Sequence, residues 1–150
     1  MADEHALYQR ILLEHSRRPR NFREMNDADL TAEGHNPLCG DKLRVYLKMD
    51  GEVISEAMFQ GSGCAIFKAA ASMMTAALEG KTRREACALS ETFCNMIDSE
   101  PGDPVDIKRL GELVALAGVR EYPVRRRCAT LPWHTLRAAF ETHGRTRSTA

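Results

Sequence analysis

The sequence predicts an α+β domain, a small antiparallel sheet of about three strands packed on one face by about five helices. Three observations lead there. Residues 42–49 alternate polar and apolar with the period of a half-buried strand. Asp50-Gly51 supplies a turn directly after them. From Ala65 onward the apolar residues recur at helical spacing instead.

The elements follow in order. From Glu4 to Ser16, Leu7, Ile11 and Leu12 share one helical face with Tyr8 and His15, and Pro19 ends the helix. Phe22 is a candidate anchor for the irregular stretch after it, residues 23–29 read as a polar surface loop, and Leu30 to His35 as a short edge strand. In the central strand Leu43, Val45, Leu47 and Met49 face inward while Lys42, Arg44, Tyr46 and Lys48 face water. A three-residue loop with Gly51 in the left-handed position sets Leu47 opposite Val53 and Leu43 opposite Ala57, with Phe59 beside Asp41. A one-residue slip would expose Phe59 and bury Glu56, so the pattern opposes it.

A helix from Ala65 carries the stripe Ile66, Ala70, Met73 and Ala77 and stops at Gly80. Thr82 and Glu85 form a capping box for the next helix, whose Ala86, Leu89, Phe93 and Ile97 face inward. After the break at residues 101–104, a helix from Asp106 to Ala117 uses Ile107, Leu110, Leu113, Val114 and Ala117 and ends at Gly118. The last helix is expected to begin just after Cys128, to tolerate Pro132 in its first turn, and to bury Trp133, Leu136 and Phe140. Residues 1–150 read as one domain with a polar tail from about residue 142.

Composition narrows the function classes. The 21 basic and 21 acidic side chains cancel, which removes any general electrostatic argument for binding nucleic acid or an anionic membrane. The N-terminus is acidic where a signal peptide would be basic, and no apolar run approaches the ~18 residues of a membrane span. A cytoplasmic protein is expected, with its five cysteines as thiols or metal ligands and not as disulfides.

Three of those cysteines sit where the chain changes direction. Cys39 lies in Asn36-Pro37-Leu38-Cys39-Gly40-Asp41, Cys64 follows Gly61-Ser62-Gly63, and Cys128 follows Arg125-Arg126-Arg127. Cys64 and Cys128 are placed at helix starts, where local positive potential favours thiolate. The glycines at 40, 61 and 63 let loops approach an ion or a partner's sulfur. Cys39, Asp41, Cys64 and Cys128 together would make a tetrahedral shell suited to zinc, although thiolate shells also accept iron and iron-sulfur clusters. Such a shell leaves a formal excess of two negative charges on a divalent ion, for which Lys42, Arg125, Arg126 and Arg127 are the candidate counter-charges. Asp41, the hard ligand of a soft set, is expected to leave first. The competing reading makes the cysteines buried apolar residues and the arginines a solvated face. Cys87 and Cys94 read as core thiols, and His35 and His134 as surface or capping residues.

Taken together, the segments carry a resemblance. Gly34 to Asp41 resembles the first ligand loop of the SufU branch of the IscU/NifU-like iron-sulfur assembly family, Gly61 to Ile66 with Ala69 to Thr75 resembles the second, and Cys128 to Trp133 resembles the third. The likeness extends to Leu7–Phe22 and Leu110–Arg120. Three features favour SufU over the scaffold branch: an extended segment from Lys81 to Arg120, Arg127 where scaffolds typically carry histidine, and Tyr122-Pro123-Val124-Arg125 in place of a chaperone-read Leu-Pro-Pro-Val-Lys. Phe67-Lys68 departs from the smaller residues usual after the second cysteine.

The resemblance implies the IscU/NifU N-terminal-like fold and a zinc-dependent sulfurtransferase that takes persulfide sulfur from a SufS-type cysteine desulfurase onto Cys39. It implies zinc on Cys39, Asp41, Cys64 and Cys128, with Arg127 stabilising the freed Cys39 thiolate, and downstream SUF scaffold components as further partners. Two other functions fit the same residues. One is a scaffold for a transient iron-sulfur cluster, and the other is a zinc-stabilised interaction module without sulfur chemistry.

Overall fold

The computed structural model describes residues 2–142; the tail expected beyond them lies outside that range. Three strands, β1 (Leu30–Asn36), β2 (Asp41–Asp50) and β3 (Val53–Ser62), form one antiparallel sheet in the order β1-β2-β3. Alternation works as expected on the inner face, where Ala32, Leu43, Val45, Leu47, Ala57 and Phe59 are buried.

The hairpin register differs from the expected one by four residues. Leu47 pairs with Ala57 where Val53 was expected, Leu43 pairs with Gly61 where Ala57 was expected, and Phe59 pairs with Val45. The turn is tighter, because Asp50 pairs with Val53 across Gly51-Glu52, and a bulge at Lys48/Met49 absorbs one residue. An even shift keeps every side chain on its face, so the burial of Phe59 and exposure of Glu56 survive.

The outer face is not uniformly wet. Tyr46, expected to face water, is buried with Met58 and Met25 in a second small cluster, because residues 23–29 fold across that face instead of projecting from it. Asp29 fixes that segment by accepting from the Met49 amide at 2.7 Å. Phe22 remains 49% exposed yet packs edge-on against Phe59 at 5.2 Å, so it anchors the stretch from one side.

The helices lie on the inner face. In α1 (Ala2–Arg17), Tyr8, Ile11 and Leu12 are half-buried and His15 is buried, whereas Leu7 is left half exposed at the edge of the stripe. The central helix is α2 (Ala65–Leu78), buried from Ala69 through Thr75 and packed against α1, α5 and β3. Phe67 is fully buried in its first turn. The capping box opens α3 (Arg83–Asp98) as expected: Thr82 Oγ1 accepts from the Glu85 amide at 3.0 Å and Glu85 Oε1 accepts from the Thr82 amide at 2.9 Å.

Two helix expectations need correction. The segment after the Pro-Gly break is not one helix ending at Gly118. It is a single turn, α4 (Ile107–Leu110), followed by a 3-10 helix over Gly111–Glu121 that runs through Gly118. The interruption falls at Gly111, whose φ of 55° leaves the helical region and breaks the ladder, and Ile107 is consequently exposed. The last helix, α5 (Pro123–Thr142), starts five residues earlier than Cys128. The first-turn proline is Pro123; Pro132 lies in the helix interior and withholds the amide that would bond the Cys128 carbonyl. Trp133 and Leu136 are fully buried, Trp133 stacking on Phe93 at 5.2 Å, and Phe140 is buried beside them. No helix among the described residues is long and apolar enough to cross a membrane.

Candidate metal centre

The site forms where the β1–β2 turn, the start of α2 and the second turn of α5 meet. Gly40, at φ 75°, turns the chain, and its amide bonds the Asn36 carbonyl at 2.8 Å. Asp41 is then the first residue of β2 and, by alternation, points inward with Leu43, fully buried. Cys64 is the N-cap of α2. Cys128 is fully buried on α5, which packs over β1; its expected place at a helix start is corrected to the second turn of the helix.

Cys39 Sγ, an Asp41 carboxylate oxygen and Cys128 Sγ all lie within 4.8 Å of one another. Cys64 adjoins this trio without joining it at that distance. Its amide donates to Asp41 Oδ1 at 3.2 Å, and its side chain interacts with the Cys128 thiol. Asn36 Nδ2 donates to Asp41 Oδ2 at 3.2 Å and to Cys128 Sγ at 3.8 Å. Burial, reinforced by the Asp41, Cys39 and Cys64 side chains, pushes the Cys128 thiol far above the ordinary range. A cation bound beside such a thiol would favour its thiolate form.

The counter-charges sort differently from the sequence expectation. Arg125 Nη1 donates to Cys39 Sγ at 3.8 Å, and interactions with Cys128 first, then Cys64 and Cys39, hold its guanidinium more firmly charged. Arg126 instead donates to the Arg120 carbonyl at 2.8 Å. Arg127 is exposed and within electrostatic reach of His134, and it is Arg125 that the geometry places against Cys39. Successive helical residues are turned about 100° apart, and only one of three consecutive arginines can face the sulfurs. Lys42 is exposed on the other side of β2 from Asp41, lining a groove on the outer face with His35.

The donor set fits a metal ion. Ligand atoms on a tetrahedral zinc stand about 3.6–3.8 Å apart, so donors already within 4.8 Å need close by only about 1 Å. Two sulfurs and one carboxylate at that distance, with the Cys64 sulfur adjoining them, match zinc chemistry and do not exclude iron. Gly63 makes the approach possible: a Cβ there would stand 2.7 Å from Phe67 Cδ2 and 3.0 Å from Asp41 Cγ. Phe67, the departure noted in the sequence, is therefore a buried wall behind Gly63 and Asp41.

Sequence reading missed the amide of Asn36, although it sits at the start of the motif that carries Cys39. Its signal is an asparagine at an inward-facing strand position, and nothing local names its partners. Cys94 is buried, which pushes its thiol up to about 11, and Cys87 is half-buried on the same helix.

The sequence matches the NifU-like N terminal domain over residues 7–129. It is similar to the zinc-dependent sulfurtransferase SufU of Bacillus subtilis, 40% identical over 131 residues covering 87% of this chain and 86% of that protein. It is also similar to the iron-sulfur cluster assembly scaffold protein IscU of Streptococcus pyogenes serotype M1, 37% identical over 135 residues, 90% of this chain and 83% of that one. A crystal structure from Fervidobacterium islandicum AW-1, assigned as a candidate iron-sulfur cluster assembly scaffold protein for the SUF system, superposes with a TM-score of 0.81 at 32% identity, covering 90% and 97% of the two chains. A match that spans most of the chain, on a fold of the same topology, shows that this chain belongs to the NifU-like N-terminal domain family.

Proposed function

We propose that the chain is a zinc-dependent sulfur acceptor in iron-sulfur cluster assembly, taking persulfide sulfur from a SufS-type cysteine desulfurase onto Cys39. The observation that carries the reading is the contrast between the site's sulfurs. Cys128 is fully buried and Cys64 is half-buried at the N-cap of α2, whereas Cys39 is half-buried on a turn beside the 69% exposed Leu38 with a guanidinium 3.8 Å from its sulfur. Bound zinc supplies a Lewis-acidic centre that keeps the sulfurs as thiolates. Cys39, Asp41, Cys64 and Cys128 would hold it.

The chain's own residues do the rest. Docking of the desulfurase frees Cys39, and Arg125 takes up the negative charge of the freed thiolate. Cys39 Sγ attacks the outer sulfur of the donor's Cys-S-SH, so the donor's S–S bond breaks as a new one forms on Cys39. The donor cysteine leaves as thiolate, and the transferred sulfur keeps its proton. Arg127, which the sequence favoured for the charge, is the control position. Cys39→Ser should abolish stimulation of desulfurase turnover with the fold intact; full stimulation by that variant sinks the assignment.

The relatives described as scaffolds support a second reading, in which the same four side chains hold a transient iron-sulfur cluster. Anaerobic purification with metal, sulfide and visible-absorption measurement separates the two. One zinc without sulfide supports transfer; labile iron with sulfide supports scaffolding.

A further inference from the structure

We propose that Asn36 is a positioning residue of the metal centre: its side-chain amide holds the Asp41 carboxylate and caps the Cys128 sulfur, and thereby sets how firmly the centre keeps its ion. The inference rests on the metal-holding part of the reading above and is independent of sulfur transfer.

Both Asp41 oxygens are held from outside the ligand trio, Oδ1 by the Cys64 amide at 3.2 Å and Oδ2 by Asn36 Nδ2 at 3.2 Å. The first bond comes from backbone and is independent of side-chain identity at 64. The second exists only because residue 36 carries an amide. The same Nδ2 reaches Cys128 Sγ at 3.8 Å, so one NH2 group bridges the hard donor and the most buried sulfur of the site. Fixing the carboxylate in this way lowers the ordering that a metal must impose on it, and an N–H aimed at a sulfur spreads the charge of the thiolate form.

A purely structural role explains these facts less well. The turn that follows uses the Asn36 backbone carbonyl, which accepts from the Gly40 amide and which any residue would supply. The Asn36 side chain is 2% exposed, and its Oδ1 is buried with no hydrogen-bond partner. A buried acceptor without a partner is destabilising, and an apolar side chain of similar size would avoid it. The amide is therefore held at a cost to the fold, with its donor end committed to Asp41 and Cys128.

The test uses the full chain loaded with zinc and compares wild type with Asn36→Ala, reading the rate of zinc release to an excess of chromogenic chelator and the affinity by competition. Loss of an outer partner of a metal ligand typically costs 10- to 100-fold, so Asn36→Ala should weaken zinc affinity by roughly that factor. Asn36→Leu, an apolar side chain of similar size, should show the same loss of zinc affinity while the chain without metal still melts cooperatively, so that the loss is not one of unfolding. Cobalt substitution gives a second readout, since the visible bands should shift as Asp41 loosens. Asn36→Ser, which keeps a small polar group but withdraws the amide, should behave as Asn36→Ala does and serves if that variant fails to fold. Affinity within about twofold of wild type, with unchanged cobalt bands, overturns the inference. A wild-type chain that takes up neither zinc nor cobalt overturns the centre itself and this inference with it.

Discussion

The Arg125 guanidinium stands 3.8 Å from Cys39 Sγ, while its neighbours Arg126 and Arg127 point elsewhere. One cation of a three-residue basic run is thus committed to a half-buried sulfur of the site. The Cys39 thiol also donates to the Val124 carbonyl at 3.8 Å. Arg125 is the side chain of that run placed to pair with the Cys39 sulfur when it carries negative charge.

Arg125→Ala should therefore slow alkylation of Cys39 by iodoacetamide at neutral pH by roughly two- to five-fold, the scale of an exposed charge interaction. Arg127→Ala should leave the rate close to wild type. Peptide mass mapping of each cysteine over time checks both. Equal effects of the two variants would return the role to general basic potential.

Gly63 is expected to tolerate no side chain. A Cβ at this position meets Asp41 and the fully buried Phe67, neither of which has free space to retreat into. Gly63→Ala should lower stability by about 1–3 kcal/mol and weaken zinc binding as Asp41 is displaced. Gly118→Ala, with nothing near the added carbon, is the control and should do neither. Urea denaturation and chelator competition on the two variants decide.

His15 should make the fold sensitive to mild acid. It is buried against Ser72, with Nδ1 and Oγ 2.7 Å apart, and burial first, then the Arg20 charge, hold its pKa below the ordinary value near 6.5, with Glu112 and Glu14 opposing. The folded state therefore binds this proton less readily than the unfolded chain does. The resulting stability is present above pH ~6.5 and is lost as pH falls toward the depressed value, by at most about 1.4 kcal/mol per pH unit. His15→Gln should flatten that part of the profile in urea titrations at pH 7.5 and 5.5. An unchanged slope would mean that other groups carry the acid sensitivity.

Much of the fold is written locally. The alternation over residues 42–49 chooses the inner face of β2, the Thr82–Glu85 box opens α3, and Cys64 beside two glycines marks the start of α2. Each depends on residues a few positions apart, so the sequence alone determines them. Cys39 and Asp41 share one short segment, whereas Cys64 and Cys128 were joined to them as expected ligands by the family resemblance; the fold brings Cys39, Asp41 and Cys128 within 4.8 Å of one another, with Cys64 adjoining.

Tertiary structure decided what local pattern leaves free. A period-2 pattern is unchanged by an even shift, so only the two-residue turn and the bulge selected the pairing of Leu47 with Ala57. A helix start moved from after Cys128 to Pro123 rotates every later side chain, and that rotation chose Arg125 over Arg127. Asn36 meets Cys128 across 92 positions of chain. No propensity or spacing encodes that distance, because it exists only once α5 has packed over β1.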